Sequence, residues 1–444
     1  MTIGTSSSPL SDTPPQAAAW MPMTGDVVIV GGGIVGLTLA LALANSALQV
    51  VVVEAQSFRG VAARPRAYAL SVTSADIFKG LGLWPQIGPQ ITPFQRVRLV
   101  EGDYAQAVDF WPSDLNTEAV YYGADHGVLI TALQQAVMAT PNLRYLTSAR
   151  LIHWERQPGE SVAEVANPEA NYRIRSPLMV AADGKQSALR QFADLGSFGW
   201  QYWQSCITTV VEPEQPHQAT AYERFWPSGP FAILPLPGQR CQIVWTAPQA
   251  EAEAIMALPE AEFMGQLQQH FGPQLGRLRR LSAPALFPVQ LMHCDRYIQP
   301  RLALVGDAAH SCHPVGGQGL NMGIRDAAAL AEVLIKAHHR QEDLGSPAVL
   351  RRYESWRRPE NWVILTFTDL LTRTFSNQIW PLVRLRRLGL VVLNRVPVLK
   401  RLALRLMIGR LGRLPQLALV GQGRATRKNP AMENWVQTKK ALKF

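Results

Sequence analysis

The stretch that most constrains the fold runs from Asp26 to Glu54, where two apolar runs flank a glycine cluster of fixed spacing. Asp26 to Val30 suits a buried strand, Ile34 to Ala44 has helical composition, and Gln49 to Glu54 is a second β-branched run. Gly31, Gly33 and Gly36 spell G-x-G-x-x-G where the first strand ends, and Glu54 closes the second strand 18 residues after Gly36. In that setting the first glycine permits a tight turn and the second lets backbone approach a pyrophosphate at the positive end of the helix. The third allows close packing of helix on strand, and Glu54 can accept hydrogen bonds from an adenosine ribose. A βαβ unit that binds a dinucleotide is predicted, with FAD and NAD not yet separated. Val27 to Ala44 is uncharged over 18 residues, but its four glycines divide it into strand, turn and buried helix rather than a membrane span.

Two later motifs separate the cofactors. Asp183-Gly184-x-x-Ser187-x-x-Arg190 follows the strand-like run Leu178 to Ala182, and alone it would read as a strand-to-helix turn capped by Ser187. The second motif is Arg301 to Asp326, RLALVGDAAHSCHPVGGQGLNMGIRD. Together with RAYALS, which begins at Arg66, these segments resemble the FAD-dependent aromatic hydroxylases, and within them the branch acting on ring precursors of prenylated quinones such as ubiquinone. The resemblance covers about Asp26 to Pro397 and is loosest over the aromatic segment 196–289.

The resemblance implies an α/β fold like that of para-hydroxybenzoate hydroxylase: a Rossmann-like FAD-binding domain, an inserted mostly antiparallel substrate sheet and a helical C-terminal region. It implies that Asp183, Gly184 and Arg190 touch the flavin and a transient NAD(P)H path, that Asp307 of Gly306-Asp307 bonds a ribityl hydroxyl, and that Arg66 contacts the flavin. Gly319, Leu320 and Asn321 would open a helix whose amides point at the flavin N1 and C2 carbonyl region, where reduced flavin is anionic. Pro314 and Gly319 would supply backbone at the flavin face, with His313 beside the substrate and His310 structuring the turn. A metal at His310 and His313 is not expected, because no acidic or thiol cluster stands at ligand spacing. By the same resemblance NAD(P)H reduces FAD, O2 forms a flavin C4a-hydroperoxide, and an electron-rich phenol ring is hydroxylated. No side-chain base for the phenol can be identified from sequence. Phe225, Trp226, Phe231, Leu234 and Pro235 fit a substrate-facing strand pattern, or else plain core.

The expected organisation is a disordered leader over 1–24, an FAD-binding domain over 25–100, 125–195 and 290–360, and a substrate domain over 101–124 and 196–289. A helical basic region over 361–420 and a tail over 421–444 complete it. Helices are expected at Thr73 to Leu81, Leu129 to Met138 and Asn321 to Ala337, and strands at Ser205 to Val211, Phe231 to Leu236 and Leu302 to Val305.

Charge adds one more expectation. The net charge is +10, yet Leu371 to Lys428 holds thirteen Lys/Arg and no acid, so removing that stretch leaves −3 on the remainder. A nucleic-acid-binding surface is therefore not expected. In Val398 to Ile408, helical spacing puts Lys400, Arg401 and Arg405 on one side and Leu399, Leu402 and Leu406 on the other, an interfacial pattern. The alternative is a helix packing its leucines on the FAD domain. Scattered Cys206, Cys241, Cys294 and Cys312, and no Lys or Arg before Arg59, fit a cytoplasmic protein, and the basic region 371–428 would hold it peripherally on a membrane. Its partners would be a hydrophobic, prenylated phenol, the membrane surface and a quinone-biosynthesis complex. A prenyl reductase, a small-phenol hydroxylase or a non-catalytic flavin-binding subunit remain the rival readings.

Overall fold

The computed structural model describes residues 20–102, 104 and 106–424. Among these, one six-stranded sheet has the spatial order Ile298–Gln299, Leu302–Leu304, Leu178–Ala181, Val27–Val30, Val50–Val53, Leu143–Leu146. All neighbours are parallel except the first pair. A parallel sheet is covered on both faces, which is why its strands read as unbroken valine and leucine runs. Helix Ile34–Leu43 is buried almost all round, packed between helices His126–Met138 and Gln318–His339.

A nine-stranded sheet forms the second half. Its main path is His310–Ser311, Ala285–Cys294, Ser197–Pro213, Arg240–Pro248, Gly229–Leu236, Thr220–Trp226, Arg96–Glu101, Ala107–Phe110, with Leu278–Arg280 pairing alongside. It is antiparallel apart from the pair Thr220–Trp226 and Arg96–Glu101. One face is covered by helices Gln249–Met256 and Glu260–Phe271, whose Ala252, Ile255, Phe263 and Leu267 pack on Ile207, Phe231, Ile243 and Trp245. On the other face, Val97, Phe225 and Leu234 pack with Ala69, Val315, Leu390 and Leu404.

Several boundaries move. The substrate sheet starts at Arg96 rather than 101 and runs on to Cys294 rather than 289, because both strands are completed by partners inside it. The expected leader includes a strand: Trp20–Thr24 pairs in parallel with Asn171–Ser176, extending a four-stranded sheet with Arg150–Gln157 and Glu160–Ala166 that sequence reading did not foresee. Residues 1–19 of that leader and 425–444 of the tail lie outside the described residues. Helix Pro347–Phe375 crosses the expected boundary at 360, and helices Trp380–Arg395, Pro397–Met407 and Gln416–Gly421 follow it.

Candidate active site

Strands Leu302–Leu304, Leu178–Ala181, Val27–Val30 and Val50–Val53 are adjacent and parallel. Their carboxyl ends therefore present Gly306-Asp307, Asp183-Gly184, Gly31 to Gly33 and Glu54 in a row along one edge. That edge is where open α/β sheets bind ligands. Gly31 sits at φ +112°, and a Cβ there would stand 2.3 Å from the Ala182 carbonyl oxygen. At Gly36 a Cβ would stand 1.9 Å from the Gly31 oxygen, so helix and strand pack too closely for any side chain. Gly33 differs. It precedes helix Ile34–Leu43, which has no side-chain N-cap, and nothing lies within 4 Å of where its Cβ would project. The unpartnered first-turn amides thus look into open space. Glu54 accepts the Gly32 amide at 2.7 Å and the Gln56 amide at 2.7 Å, which shapes the glycine loop and leaves each oxygen a further lone pair.

At the next strand end, Asp183 Oδ2 accepts the Ala188 amide at 2.8 Å, while Oδ1 is buried without a partner. Burial raises the pKa of this carboxyl. Ser187 accepts the Arg190 amide at 3.1 Å, so the capped turn and an inward-facing aspartate coexist in one motif. The Arg190 guanidinium donates to the Ala308 and Lys185 carbonyls at 2.8 and 2.6 Å. It ties the Asp-Gly loop to the Gly-Asp loop. Gly184, at φ +85°, has open space before it. Asp307 is half-buried and makes no hydrogen bond or ion pair among the described residues, and a Cβ on Gly319 would lie 3.9 Å from its Oδ1. An orphaned buried carboxylate oxygen, an unpartnered aspartate and a glycine cradle at a helix N-terminus fit the pyrophosphate and hydroxylated arm of FAD.

The long motif supplies the opposite wall. Gly316 and Gly317, at φ +68° and +61°, turn the chain into helix Gln318–His339, and the Pro314 carbonyl accepts the Gly317 amide at 2.9 Å. The Asn321 side chain makes four bonds: Oδ1 accepts the Ser71 amide and Ser74 hydroxyl, and Nδ2 donates to the Ala69 and Gly317 carbonyls. Its expected part is played by backbone amides, and the side chain has a task of its own. The side chain pins the helix start to strand Ala67–Ser71 and has no hydrogen-bonding capacity left for a cofactor. His313 Nδ1 accepts the Val315 amide at 3.2 Å, so its proton sits on Nε2, facing Gln204 Oε1 at 3.3 Å. Burial pushes its pKa down to about 3, leaving a neutral, fully enclosed imidazole. Arg66 is exposed, with its guanidinium 5.5 Å from the centre of the Phe287 ring on the large sheet.

The large sheet corrects two expected substrate residues. Side chains alternate along a strand. Phe231 is wholly buried in the cluster under helices Gln249–Met256 and Glu260–Phe271, and Trp226 packs on that same cluster, away from the flavin loops. Phe225 and Leu234 lie on the other face, in the cluster that contains Ala69 and Val315. On this inner face Leu99, Glu223, Ala232, Val244 and Thr208 form one row across five strands. All but Ala232 are half-buried, on the face where Val315 of the Gly316 loop packs.

Sequence reasoning also passed over Asp326. Its Oδ2 receives His310 Nε2 at 2.6 Å and the Gly306 amide at 3.2 Å, and its Oδ1 receives Arg357 Nε at 2.8 Å and Asn361 Nδ2 at 3.0 Å. Burial alone would raise this carboxyl, but His310 and Arg357 outweigh it and hold the pKa well below the usual range. The signal was present as the last residue of the long motif. Its partner Arg357 lies 31 residues away in a helix of ordinary polar pattern, which hid the pair. Among the described residues no group of three His, Cys, Asp or Glu side chains is placed to hold a metal.

The FAD binding domain family model matches residues 24–368. The chain is 38% identical over 413 residues to a ubiquinone hydroxylase of Rhodospirillum rubrum, covering 90% of this chain and 94% of that one. It is 37% identical over 389 residues to the 3-demethoxyubiquinol 3-hydroxylase of Escherichia coli, covering 86% and 98%. In structure it is similar to a p-nitrophenol 4-monooxygenase from Pseudomonas putida, with a TM-score of 0.75 at 22% identity over 88% of this chain and 99% of that one, a likeness of fold. The glycine cradle, the two aspartate loops and these matches agree: the chain belongs to the FAD-dependent aromatic hydroxylases, in the branch of ubiquinone biosynthesis.

Proposed function

We propose that this monooxygenase hydroxylates the ring of a phenol carrying a long apolar, isoprenoid tail, with NAD(P)H as reductant, while docked on a membrane surface. The observation that carries the reading is the half-buried inner row of the large sheet, which faces the loop beside the expected flavin. FAD, when bound, supplies the redox and oxygen-transfer chemistry. The chain's part is to hold the ring against that row and keep water out, because a wet site would release peroxide instead of product. Asp183, Asp307 and the first-turn amides after Gly33 would hold the cofactor. Neutral His313 and Gln204 support the sheet and loop from inside.

The C-terminal helices support the membrane part. Lys400 does not join an exposed basic stripe: it is paired with Asp114 at 2.8 Å, and Arg386 is buried against Glu101. The outward face carries Trp380 (68% exposed), Leu385 (64%), Val398 (65%), Leu399 and Leu402, interspersed with Arg384, Arg395, Arg401 and Arg405. Those four arginines have no ion pair among the described residues. Contiguous exposed apolar residues mark a binding surface, and arginines among them suit anionic headgroups at about 1 kcal/mol each. No helix among the described residues is long and apolar enough to cross a membrane. Binding to anionic liposomes at low salt, weakened at high salt and lost in a Trp380→Glu, Leu385→Glu, Leu399→Glu protein, is expected in flotation. Flotation of wild type and variant alike would contradict this surface.

The substrate reading is tested by product formation from one phenol headgroup bearing zero, one, two or more isoprene units. Each buried methylene contributes about 0.8 kcal/mol, so an enclosed isoprene unit raises the specificity constant by more than tenfold, and kcat/KM is expected to climb along the series. A flat series, or a maximum at the bare phenol, would favour a soluble substrate.

A further inference from the structure

We propose that Glu223 takes the proton from the ring hydroxyl of the phenol. This rests on the hydroxylase reading above. Glu223 lies on the inner face of strand Thr220–Trp226, opposite Leu99 on one side and Ala232 on the other. The backbone of Gly316 lies close enough to act on its carboxyl, and the neighbouring Val315 packs in one cluster with Phe225 of the same strand face, in the loop that delivers helix Gln318–His339 to the flavin site. The acid therefore stands at the seam between the cofactor loop and that row of residues on the sheet.

A second acid on this face shows what a structural carboxylate looks like here. Glu101 pairs with Phe225 across the neighbouring strand and is held by Arg386 at 2.8 Å and Arg387 at 3.2 Å. Glu223 has no ion pair among the described residues. An acid kept without a cation in a desolvating site is unfavourable for folding, and such groups concentrate where chemistry uses them. Burial raises its pKa to about 8, which the Gly316 backbone only partly offsets.

The other titratable groups nearby are not suited to the task. Tyr121 donates its hydroxyl to the Met407 carbonyl at 2.6 Å, and burial raises its pKa further. Cys206, from strand Ser197–Pro213, is raised to about 12 by burial, with Arg66 and Lys185 on the flavin side and Glu223 on the sheet acting on it only secondarily. Arg325 of the flavin-side helix donates its Nε to the Asn321 carbonyl. His313 is neutral and accepts at Nδ1 from backbone. Among the described acids Glu101 and Glu223, Glu223 is the one held without a cation.

The step is balanced within the site. The phenol O–H bond breaks, its electron pair stays on the ring oxygen, and the proton passes to a Glu223 carboxylate oxygen. The resulting phenolate is a stronger ring nucleophile toward the oxygen supplied by the cofactor and O2. As the hydroxylated ring becomes aromatic again, its C–H bond breaks, the electron pair goes into the ring, the proton leaves to solvent, and Glu223 returns its own proton to the phenolate oxygen.

The test compares wild type, Glu223→Gln and Glu223→Asp holoenzymes with the prenylated phenol of highest activity, scoring hydroxylated product from pH 6 to 10. General base catalysis contributes about 10²- to 10⁴-fold. Wild-type kcat should rise through an inflection near Glu223 ionisation. The Gln variant should keep its FAD, lose at least about a hundredfold in product at pH 7, and climb about tenfold per pH unit toward the phenol's own pKa near 10. The Asp variant should recover part of the rate together with the inflection. Wild-type rate and profile in the Gln variant would overturn the proposal while leaving the hydroxylase reading intact. No product from wild type would overturn both. Should the Gln variant fail to retain FAD, the Asp variant decides alone, since an unchanged rate and profile there would overturn the assignment.

Discussion

Replacing Asp326 by Ala should lower folding stability by about 3–5 kcal/mol, the usual effect of removing one partner from a buried ion pair. Four donors converge on this carboxylate, from His310, Gly306, Arg357 and Asn361, and every side chain involved is fully enclosed. Without it the Arg357 guanidinium keeps Glu360 and Asn361 but loses its buried anion. The Gly306 amide also loses its anchor, so the loop carrying Asp307 should loosen and FAD affinity fall alongside stability. The pH dependence has a definite sign. The folded pKa of Asp326 is depressed, so its stabilisation is complete above the unfolded value of about 3.9 and disappears as pH falls toward the folded value. Urea midpoints of wild type and Asp326→Ala should therefore be far apart at pH 7 and converge below about pH 4. Equal midpoints at pH 7 would show that the hub does not stabilise the fold.

The Gly33→Val protein should purify with little or no yellow colour. The space where a Cβ would project is open, so the fold tolerates the side chain, but that space is where the pyrophosphate must approach the helix amides. Bulk inserted into a packed site is unfavourable by about 1–3 kcal/mol, which weakens FAD binding about 5- to 150-fold. Asp307→Ala should act similarly by a different route, removing a charge-assisted bond worth about 1.5–3 kcal/mol. Flavin per protein chain, read from absorbance after gel filtration, checks both. Wild-type flavin content together with an unshifted melting temperature in both variants would place the cofactor elsewhere.

The first sheet was legible because strands buried on both faces leave continuous runs such as Val27–Val30 and Val50–Val53, and because glycine positions report backbone approach directly. Motif spacing then located the site, since Asp183 and Asp307 sit at the ends of neighbouring strands. Orientation was harder to read. In YERFW the aromatic residues fall on both faces, and alternation alone does not say which parity meets the helices, so it does not tell that Trp226, and Phe231 on the next strand, face the helices rather than the substrate. The single acid among those aromatics carried the information instead. Helix Pro397–Met407 poses the same problem in another period: leucines lie on both sides of it, and its contacts with Asp114 and the Phe110 ring show that Lys400 turns inward. The Trp20–Thr24 strand escaped because five residues with a proline at the edge of a sheet resemble linker.

Insertion of oxygen into the ring of a hydrophobic phenol is the reaction that every proposed role above serves. The most direct measurement is mass spectrometry of the product formed by the purified holoenzyme from a prenylated phenol and NADH or NADPH under heavy-isotope O2. A ring-hydroxylated product carrying one heavy oxygen atom is expected, formed in step with NAD(P)H consumption and only when the phenol is present. A product with oxygen from water, or NAD(P)H consumption that yields peroxide and no hydroxylated ring, would contradict it.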